Sequence, residues 1–529
     1  MSPLVESRRS TRAGLTRRNS VETSKTSPRR LSDLLAAIAP LEVRGRDTIT
    51  VMSVAYRSDE SEPGGLFFCV RGRSYDGHEF ADDAVRHGVA AVMVERWLDL
   101  RPEVTQVLVR SVRESMGPVA AEFYGRPAEK LTLVGITGTN GKTTTTYLLE
   151  QVFRAAALKP AVVGTTGMRV NGRLLPIDRT TPEAPDLHRL LADMVAQGIH
   201  AVAMEVSSHG LDQHRVAGAR YACAVFTNLS QDHLDYHGTL EAYFRAKARL
   251  FTPSMADRAA INHDSPEGRT LLRDDLPTIT YGLEPGADLM ATDVETRADG
   301  ISFRVDGRPV NSRLRGVFNV HNCLAALAAA RQIGIDDEVA VRGVGMIDGV
   351  PGRLEPVDAG QPFQVLVDYA HTPDSVANVL SAVRPMAGGR LIVTLGCGGD
   401  RDRGKRPLMG EAATSSADLT VLTSDNPRSE DPEAIIAEME PGARRGGGAF
   451  RVEPDRRSAI RLALEAARSG DVVIIAGKGH ETGQEFVDRT VPFDDRVVAQ
   501  EELSRLGWTT EERGPTSDRG MRERRRDRK

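Results

Sequence analysis

Residues 131–150 read LTLVGITGTNGKTTTTYLLE, and this stretch decides the fold. Its first seven residues are apolar or small and predict a buried strand. Leu148, Leu149 and Val152 share one helical face, so a helix is predicted to begin at Thr143. A glycine-rich turn joins the two elements, which allows consecutive backbone N–H groups to point into one concavity.

The turn has the residue types of a phosphate-binding loop. Gly138 and Gly141 permit a tight backbone turn, and Lys142 adds a positive charge. Thr143 offers a hydroxyl to a metal ion at the helix N-terminus. The usual P-loop is G-x-x-x-x-G-K-[ST], and Ile136 stands where that pattern has its first glycine. The stretch therefore predicts a nucleoside triphosphate site of a non-standard kind; the alternative is a strand–turn–helix that binds nothing.

Composition places the chain among soluble cytoplasmic proteins. Its 529 residues predict three or four domains at roughly 150 residues each. No run approaches the roughly 18 apolar residues of a membrane helix. A net charge of −4 argues against nucleic acid as the main partner. The four cysteines show neither paired nor metal-ligand spacing, as expected in a reducing cytoplasm: Cys69, Cys223, Cys323 and Cys397.

Both ends are of low complexity, and residues 1–30 and 511–529 are predicted to be disordered charged tails. Arg29 and Arg30 precede an apolar run and faintly resemble a twin-arginine signal. That run is short, contains Asp33 and lacks a small-residue cleavage site, so export is not predicted. An organelle transit peptide shares the arginine- and serine-rich composition and stays open.

Alternating strand and helix patterns divide the rest of the chain into three α/β units. Residues 31–127 form a small unit, residues 128–353 hold the phosphate loop, and residues 354–510 place apolar strands before glycine-rich turns. Such alternation predicts mostly parallel sheets, whose ligands bind beyond the carboxyl ends of the strands. Glu205 follows one of these strands directly. The second and third units are therefore expected to form the two halves of a cleft.

Lys247 is the most informative single residue outside the phosphate loop. The helix around Lys247 is predicted to place these residues on one face: Leu240, Tyr243, Phe244, Lys247, Leu250 and Phe251. On such a face a bare cation is costly unless it is paired or chemically altered. The alternative is a lysine that extends to solvent from the edge of the apolar stripe.

Three further features carry possible chemistry. Glu205 could bind Mg²⁺ or form an ion pair, and His233 and His237 could be ligands or surface residues. The loop GCGGDRDRGKR, residues 396–406, could hold an anion or be a solvated turn.

Eleven motifs in a fixed order resemble the ATP-dependent Mur ligases, and specifically the member that adds the third residue of the peptidoglycan stem peptide. The resemblance covers nearly the whole chain apart from the tails. The motifs are GTNGKTTT, TTP, EVSSHGLDQHR, NLSQDHLDYHG, FRAKARLF, FNVHN, PGRLE, DYAHTPD, GCGGDRDRGKRP, DNPR and GKGHE.

The resemblance implies an α/β protein with a uridine-binding N-terminal domain, a P-loop ATPase-like central domain and a Rossmann-like C-terminal domain. It implies a cytoplasmic, monomeric amide ligase that uses ATP, two Mg²⁺ ions and a CO₂-derived carbamate on Lys247. The implied substrates are UDP-MurNAc-L-Ala-D-Glu and meso-2,6-diaminopimelate, with neither nucleic acid nor a membrane span involved.

The resemblance also assigns roles to residues. The implied catalytic residues are Lys142, Glu205, His233 and Lys247, and the metal ligands are Thr143, Glu205, His233 and the N6-carboxylated Lys247. The implied ATP-binding residues are Gly138, Thr139, Asn140, Gly141, Lys142, Thr143, Thr144, Asn319, Asn322, Arg353, Asp368 and His371. Among these, the two asparagines and His371 would face the base and Asp368 the ribose.

The remaining assignments concern the other two substrates. Those implied for the sugar nucleotide are Tyr56, Ser58, Arg73, Ser74 and Tyr75 on the uridine side, and Thr180, Thr181, Ser207, Gln213 and Arg215 on the muramoyl-peptide side. Those implied for diaminopimelate are Arg401, Asp425, Asn426, Pro427, Arg428, Gly477 and Glu481. A guanidinium at 428 can bind the distal carboxylate bidentately, a group that the side chain of lysine lacks.

Two positions depart from the family pattern. The family usually has Asp-Ser-Arg in the first turn, whereas this chain has Arg57-Ser58-Asp59, with the charges exchanged. Arg179 stands where related enzymes often carry an uncharged polar residue before the TTP motif.

Three alternatives stay open. A folylpolyglutamate synthetase shares the phosphate loop and the lysine but not DNPR, GKGHE or a preceding uridine domain. A nucleotide-dependent switch or scaffold would use its basic tails to bind acidic partners. A plastid relative without ligase activity is disfavoured by the intact Lys142, Glu205, Lys247 and Arg428.

Overall fold

The computed structural model describes residues 27–72, 75–177, 179–297 and 299–509. Within these ranges no helix is both long enough and apolar enough to cross a membrane. The chain forms three successive α/β units, each built around its own β-sheet.

The first unit is a five-stranded sheet in the order β2-β7-β6-β5-β4, parallel except for the β2–β7 pair. A separate antiparallel pair joins β1 to β3. The elements are β1 (Arg29–Arg30), α1 (Leu31–Leu35), β2 (Glu42–Arg44), β3 (Thr50–Val51), β4 (Val54–Ala55), β5 (Leu66–Phe68), α2 (Ala81–Arg86), β6 (Ala91–Val94), β7 (Thr105–Leu108) and α3 (Val112–Phe123).

The second unit has an eleven-stranded sheet in the order β11-β10-β9-β12-β8-β13-β14-β15-β16-β17-β18. Its centre is parallel, and antiparallel strands extend both edges. The elements are β8 (Thr132–Thr137), α4 (Lys142–Ala155), β9 (Pro160–Gly164), β10 (Gly167–Val170), β11 (Arg173–Leu175), α5 (Ala184–Ala196), β12 (Ala201–Glu205), α6 (Ser208–Asp212), β13 (Cys223–Phe226), α7 (Leu234–His237), α8 (Leu240–Ala248), β14 (Ala259–Asn262), α9 (Pro266–Arg269), β15 (Thr278–Gly282), β16 (Leu289–Arg297), β17 (Gly300–Val305), β18 (Arg308–Ser312), α10 (Val317–Gln332) and α11 (Asp337–Gly345).

The third unit is a six-stranded sheet in the order β19-β20-β24-β21-β22-β23, parallel except for β19. The hairpin β25–β26 stands apart from it. The elements are β19 (Glu355–Pro356), β20 (Gln364–Asp368), α12 (Pro373–Val383), β21 (Leu391–Cys397), α13 (Lys405–Ser416), β22 (Leu419–Ser424), α14 (Pro432–Gly446), β23 (Ala449–Val452), α15 (Arg456–Ala466), β24 (Val472–Ala476), β25 (Gly483–Glu485), β26 (Thr490–Pro492) and α16 (Asp495–Arg505).

The strand β8 explains why the central sheet is buried on both faces. Val134 and Ile136 pack into one core with Leu148 of α4, while Leu133 packs into the opposite core with Leu187 of α5. Because successive side chains of a strand alternate between faces, an uninterrupted apolar run fits a strand covered on both sides.

The α/β architecture predicted from the sequence is confirmed, with differences at element ends. The helix after the phosphate loop begins at Lys142, one residue before the predicted Thr143. Leu240 was placed on the apolar face of α8 but is exposed, because it occupies the first turn beyond the packed surface. Arg29 and Arg30, assigned to the tail, pair with β3 as a strand. The rest of the predicted tails lies outside the described residues, apart from residues 27 and 28.

The register of the central sheet positions the site. Glu205 at the end of β12 pairs with Ile136 of β8, and Phe226 at the end of β13 pairs with Thr137. The carboxyl ends of all three strands therefore meet at the phosphate loop, as parallel topology requires.

Candidate active site

The phosphate loop depends on its two glycines. Gly138 has a φ of 145°, and a Cβ there would lie 1.8 Å from Thr227 Oγ1. Gly141 has a φ of 86°, and a Cβ there would lie 2.3 Å from Asn322 Oδ1. Both positions thus combine a backbone conformation that favours glycine with the close approach of another segment.

Part of the loop is braced by the turn after β13. Asn228 accepts the backbone N–H of Thr139 at its own carbonyl and that of Asn140 at its side-chain oxygen, each at 2.9 Å. Thr227 Oγ1 donates to the carbonyl of Asn140 at 2.7 Å. The N–H groups that remain available to an anion are those from Gly141 onward, at the N-terminus of α4, where the first N–H groups lack helical partners.

Two lysines converge on one carbonyl of this loop. Lys142 Nζ donates to the carbonyls of Gly138 at 3.0 Å and Thr139 at 2.8 Å. Lys247 Nζ donates to the same carbonyl of Gly138 at 2.7 Å. The Lys247 ammonium also lies 4.2 Å from the centre of the Tyr243 ring.

Lys247 is buried rather than extended to solvent. Only 1% of the residue is exposed. Burial lowers the pKa of Lys247 well below its ordinary value, and the charge of Lys142 lowers it further. The negative charge of Asp232 acts in the opposite direction. Burial therefore increases the neutral fraction of the amine, and the neutral form is the one that can react with an electrophile such as CO₂.

Glu205, at the carboxyl end of β12, lies beside the phosphate loop and is held by hydrogen bonds. It is 1% exposed, and its two carboxylate oxygens accept from the backbone N–H of Thr165 at 2.9 Å and its hydroxyl at 3.0 Å. A Cβ at Gly164 would lie 2.3 Å from Glu205 Oε1, so this glycine gives the carboxylate its space. The hydroxyl of Thr143 accepts from Arg353 Nη2 at 3.2 Å.

His233 begins a turn with a left-handed backbone, φ 56°. Burial lowers the pKa of His233 to about 3; the charges of Lys247 and Lys142 lower it as well, and Asp232, whose carboxylate lies 3.4 Å from its Nε2, opposes the shift. Its imidazole is accordingly neutral at physiological pH, as a metal ligand must be. His209 packs edge-on against His233, with 4.8 Å between ring centres.

The donor set fits a magnesium ion that arrives with a nucleotide. In the described ranges no three histidine, cysteine or acidic side chains are grouped closely enough to hold a metal by themselves. Mg²⁺ is usually bound by one or two carboxylates together with waters and phosphate oxygens. The Glu205 carboxylate and the Thr143 hydroxyl, beside a loop suited to phosphates, are therefore suitable Mg²⁺ ligands.

A single cavity of about 770 Å³ unites most of these groups. The residues predicted for ATP, metal or catalysis that line it are Thr139, Asn140, Gly141, Lys142, Thr143, Thr144, Glu205, His233, Lys247, Asn319, Asn322, Arg353, Asp368 and His371. Thr180 and Ser207, predicted for the muramoyl peptide, line the same cavity. The cavity thus brings the predicted nucleotide site against part of the predicted acceptor site.

The far end of the cavity lies between α10 and α12. Asn322 Nδ2 donates to Asn319 Oδ1 at 2.8 Å, and Val317, Phe318 and Ala382 add apolar surface. Asp368 uses its two carboxylate oxygens to accept the backbone N–H groups of Leu354 and Ala370, both at 2.8 Å. Burial raises the pKa of Asp368, although those bonds and Arg353 oppose the rise.

The second and third units meet across this cavity. Asn140 Nδ2 donates to Asp374 at 3.0 Å, and Gln231 Nε2 donates to Asp402 at 3.1 Å. Asp232 of the second unit lies 3.5 Å from Lys405 Nζ and 3.7 Å from His371 Nε2 of the third. Burial alone would raise the pKa of Asp232, but the hydrogen bond of His371 and the charges of His233 and Lys405 hold it well below its ordinary value.

The predicted diaminopimelate residues do not line this cavity but form a connected group nearby in the third unit. Asn426 donates to Glu481 Oε2 at 2.8 Å and accepts from the buried Lys478 Nζ at 2.9 Å. Lys478 Nζ also donates to Glu481 Oε2 at 3.1 Å. Asn426 thus joins the DNPR loop to the GKGHE turn, and Arg428 Nε donates to Glu485 of β25 at 2.8 Å.

The other predicted diaminopimelate residues lie around the same group of contacts in the third unit. Arg428 Nη1 donates to the carbonyl of Gly399 at 2.7 Å. A Cβ at Gly477 would lie 2.4 Å from Asp425 Oδ2, which explains the glycine there. Pro427 is buried, while Arg401 is exposed and donates to the carbonyl of Asp400.

The predicted sugar-nucleotide residues divide between two units. Thr181 Oγ1 donates to Ser207 Oγ at 3.0 Å, and Arg215 Nη2 donates to Gln213 Oε1 at 2.6 Å, so the muramoyl-side residues are in contact. Tyr56 in the first unit donates to Asp186 of α5 at 2.7 Å.

On the uridine side, Tyr75 is 73% exposed, and the hydroxyl of Ser58 hydrogen-bonds to Asp83. Arg73 and Ser74 lie outside the described residues. The exchanged charges at Arg57 and Asp59 still form an ion pair, with 3.1 Å between Arg57 Nη2 and Asp59 Oδ2.

Several residues around the cavity were not predicted. Thr165 orients Glu205, Asp232 joins the two units, and Lys478 holds Asn426 and Glu481. Asp232 and Lys478 stood inside quoted motifs, so their position was a usable signal. Thr165 carried none, because its role depends on the pairing of β9 with β12.

Three family models match the chain in order. The Mur ligase family catalytic domain matches residues 50–124, the Mur ligase middle domain residues 136–330, and the Mur ligase glutamate ligase domain residues 352–479.

Among individual proteins, a UDP-N-acetylmuramoyl-L-alanyl-D-glutamate–2,6-diaminopimelate ligase of Geobacillus thermodenitrificans is 46% identical over 484 residues, 89% of this chain and 98% of the relative. A solved structure of a ligase with the same name superposes with a TM-score of 0.66 at 35% identity, covering 91% of this chain and all of that one. A Mycobacterium tuberculosis folylpolyglutamate synthase, 19% identical over 75% of this chain and 95% of its own, superposes with a TM-score of 0.57, a likeness of fold alone.

Proposed function

The chain belongs to the Mur ligase family, and on that premise we propose that it joins meso-2,6-diaminopimelate to UDP-N-acetylmuramoyl-L-alanyl-D-glutamate with consumption of ATP. The observation that carries the proposal is the single cavity in which the phosphate loop, Glu205 and Lys247 lie against Thr180 and Ser207. A phosphoryl donor and a peptide acceptor could share that space. The contact between DNPR and GKGHE supports diaminopimelate as the third substrate.

In this reaction the γ-phosphoryl group of ATP would pass to the side-chain carboxylate of the D-glutamate residue and form an acyl phosphate. The amine of diaminopimelate would then attack the acyl carbon, and the tetrahedral intermediate would collapse to amide and phosphate. The chain contributes mainly position and charge, since phosphoryl transfer needs little covalent help from a protein.

Lys142 and the N–H groups from Gly141 onward would hold the phosphates. Mg²⁺ would neutralise phosphate charge and would be held by Thr143, Glu205, His233 and carbamylated Lys247. A carbamate converts the buried amine into an anion, which removes the disfavoured cation and supplies a metal ligand. Arg428 would bind the distal carboxylate of diaminopimelate, and Glu481 its distal ammonium.

Each of the three units would bind a different substrate or part of a substrate. Residues 31–127 would bind the uridine side, residues 128–353 ATP, and residues 354–510 the amino acid. We propose a monomer as the active form. All four cysteines are free and buried, which supports a reducing cytoplasm as the compartment.

Phosphate release by the purified protein tests the proposal. The assay contains UDP-N-acetylmuramoyl-L-alanyl-D-glutamate, ATP and Mg²⁺, with either meso-diaminopimelate or L-lysine. Turnover with diaminopimelate and only in the presence of both other substrates is expected. Turnover with lysine would support the ligase reaction but refute the proposal that Arg428 binds the distal carboxylate of diaminopimelate.

Phosphate release from ATP alone would instead support a nucleotide-dependent switch, and no turnover with either amino acid would support a relative without activity. A Lys142→Met variant provides the background rate, because it lacks the charge of the phosphate loop.

A further inference from the structure

Three arginines surround the buried carboxylate of Glu183 near the muramoyl-side residues. Together with Glu183 they form the arginine cluster: Arg113, Arg179 and Arg215. Arg113 Nη1 lies 3.1 Å from Glu183 Oε2, and Arg215 Nε lies 3.1 Å from Glu183 Oε1. Arg179 Nη1 donates to Glu183 Oε1 as well. Three positive charges therefore meet one negative charge, and two positive charges remain uncompensated within the group.

The neighbouring acidic residues do not supply that balance. Asp186 accepts from Tyr56 and pairs with Arg189, and Glu114 is exposed and faces His214. Across the ranges that the structure describes, Glu183 is the one carboxylate within ion-pair distance of these arginines. Burial lowers the pKa of Arg215, and the charges of Arg179 and Arg113 lower it further against the pull of Glu183.

The cluster is built by two units of the chain. Arg113 comes from α3 of the first unit, while Arg179 and Glu183 precede α5 and Arg215 follows α6. Its guanidinium groups are held in place by carbonyls as well: Arg113 donates to Gln213 O and Arg215 to Thr181 O, both at 3.3 Å. Such second contacts fix the arginines before any ligand binds.

The cluster remains accessible to a ligand. The Glu183 side chain is 6% exposed, but those of Arg113 and Arg179 are 23% and 50% exposed. The carboxylate thus lies beneath the guanidinium groups, and their outer edges face solvent.

The position of the cluster indicates what it binds. The charge of Arg179 and that of Glu183 both act on the Tyr56 hydroxyl, on the proposed uridine side. Thr181 and Gln213, on the proposed muramoyl side, accept hydrogen bonds from Arg215. In a UDP-sugar the group between the uridine and the sugar is a diphosphate, which carries two negative charges in an ester-linked form.

We propose that Arg113 and Arg179, together with Arg215, bind the diphosphate of the sugar-nucleotide substrate. The inference deepens the proposed function and rests on it for the identity of the nucleotide. Guanidinium groups match phosphate oxygens bidentately, and an excess of two positive charges complements a diphosphate. Glu183 acts as the positioning residue that holds the three arginines against their mutual repulsion.

A series of uridine compounds tests the proposal through binding alone. Titration calorimetry would compare uridine, UMP and UDP on the wild type and on the Arg179→Gln and Arg113→Gln variants. In the wild type, affinity is expected to rise with each phosphate. In either variant, affinity for UDP is expected to fall about tenfold while that for uridine stays constant, as the loss of one charged hydrogen-bonding group predicts.

Arg154→Gln is the matched control, since Arg154 is a partly exposed arginine that pairs with Glu150 of the same helix and forms no ion pair with Glu183 in the described structure. It changes the net charge equally and is expected to bind all three compounds like the wild type. Arg179 is half exposed, so its replacement leaves the core intact, and its variant stays informative even if Arg113→Gln fails to fold.

Two outcomes would overturn the assignment. If the variants bind UDP normally but bind MurNAc-L-Ala-D-Glu without nucleotide about tenfold more weakly, the cluster binds a carboxylate of the peptide instead. If neither affinity changes and only the melting temperature falls, the cluster is a structural ion-pair network. The phosphate-release assay on the wild type is independent of both, so failure of the proposed ligase reaction is recognised separately.

Discussion

Lys247 shows how the environment of a single side chain sets its chemistry. It donates to the carbonyl of Gly138 and contacts the ring of Tyr243, while no carboxylate of the described residues lies within ion-pair distance of it. A protonated amine is poorly solvated in such a place, so burial favours the neutral amine. The same residue that serves the proposed reaction thus weakens the fold when it carries no modification.

Replacement of Lys247 by methionine is expected to raise stability and abolish turnover. The variant removes a buried ionisable group that lacks a countercharge and keeps a side chain of similar length, so unfolding should require about 1–3 kcal/mol more in CO₂-free buffer. Chemical denaturation and phosphate release measure the two effects. A variant that is less stable than the wild type and still active would show that Lys247 serves packing only.

His188 provides a test of pH dependence away from the cavity. It is fully buried on α5, its Nε2 lies 2.9 Å from the carbonyl of Ala217, and burial lowers the pKa of His188 to about 4. The unfolded chain binds a proton at the ordinary value near 6.5, so it binds more protons than the folded chain as the pH falls. Stability contributed by the neutral ring is present above pH 6.5 and is lost as the pH falls towards 4.

A His188→Gln variant is therefore expected to lose less stability between pH 7 and pH 4 than the wild type, by roughly 3 kcal/mol. Denaturant unfolding at several pH values measures the difference. The exposed His87, replaced by glutamine, is the control and should follow the wild-type pH dependence. Parallel curves for wild type and His188→Gln would contradict the explanation.

At the scale of elements, the phosphate loop is a close contact between the β8–α4 turn, the turn after β13 and helix α10. Thr227 crowds Gly138, and Asn322 crowds Gly141. The glycines are required by these neighbours as well as by the tight turn. The loop is thus an assembly of three segments that meet only in the folded chain.

Gly141→Ala is expected to weaken ATP binding by at least about tenfold, because the new Cβ meets Asn322 Oδ1 and the backbone has a positive φ. Titration with a non-hydrolysable ATP analogue measures the affinity. Gly334→Ala is the control, since Gly334 also has a positive φ, 80°, but nothing lies within 4 Å of its Cβ position. Equal affinity in Gly141→Ala and wild type would contradict the proposed phosphate site.

At the scale of the whole molecule, contacts between the second and third units bridge the cavity beside the phosphate loop. Asn140–Asp374, Gln231–Asp402 and Asp232–Lys405 all span the two units. Closure of two units around a substrate excludes water from a reactive acyl phosphate, and opening lets substrates enter and leave. We therefore expect the two units to exchange between the closed arrangement that these contacts hold and an open one.

A double variant, Asp374→Ala with Asp402→Ala, is expected to shift the molecule towards an open arrangement. It removes one exposed and one partly buried hydrogen bond. Together they are worth about 1–3 kcal/mol, enough to change the closed-to-open ratio roughly 5- to 150-fold. Small-angle X-ray scattering without substrates should give a larger radius of gyration than for the wild type. The control, Asp358→Ala with Asp488→Ala, removes the same charge from exposed sites that lack contacts to the second unit in the described structure, and should match the wild type.

The local elements around the phosphate loop were predictable because their residues are neighbours in the chain. The apolar run before Gly138 predicts a strand, and the spacing after Lys142 predicts a helix, from nearby residues alone. The helical period places Lys247 on one face with Tyr243 and Leu250, but it left open whether the side chain extends to solvent; the structure shows that it is buried. The roles of individual site residues came from the family resemblance and remain predictions.

By itself the sequence determined the α/β class, the glycine-rich turn between strand and helix, the apolar helix face that carries Lys247, and the family, since each depends on local periodicity or on motifs in order. Only the tertiary structure decided that Lys142 and Lys247 share the carbonyl of Gly138, that Thr165 orients Glu205, and that three arginines surround Glu183. Those contacts join residues up to about a hundred positions apart, and their geometry follows from strand order and from the packing of whole units. No local pattern encodes a distance of that kind, because it depends on how every element between the two residues folds.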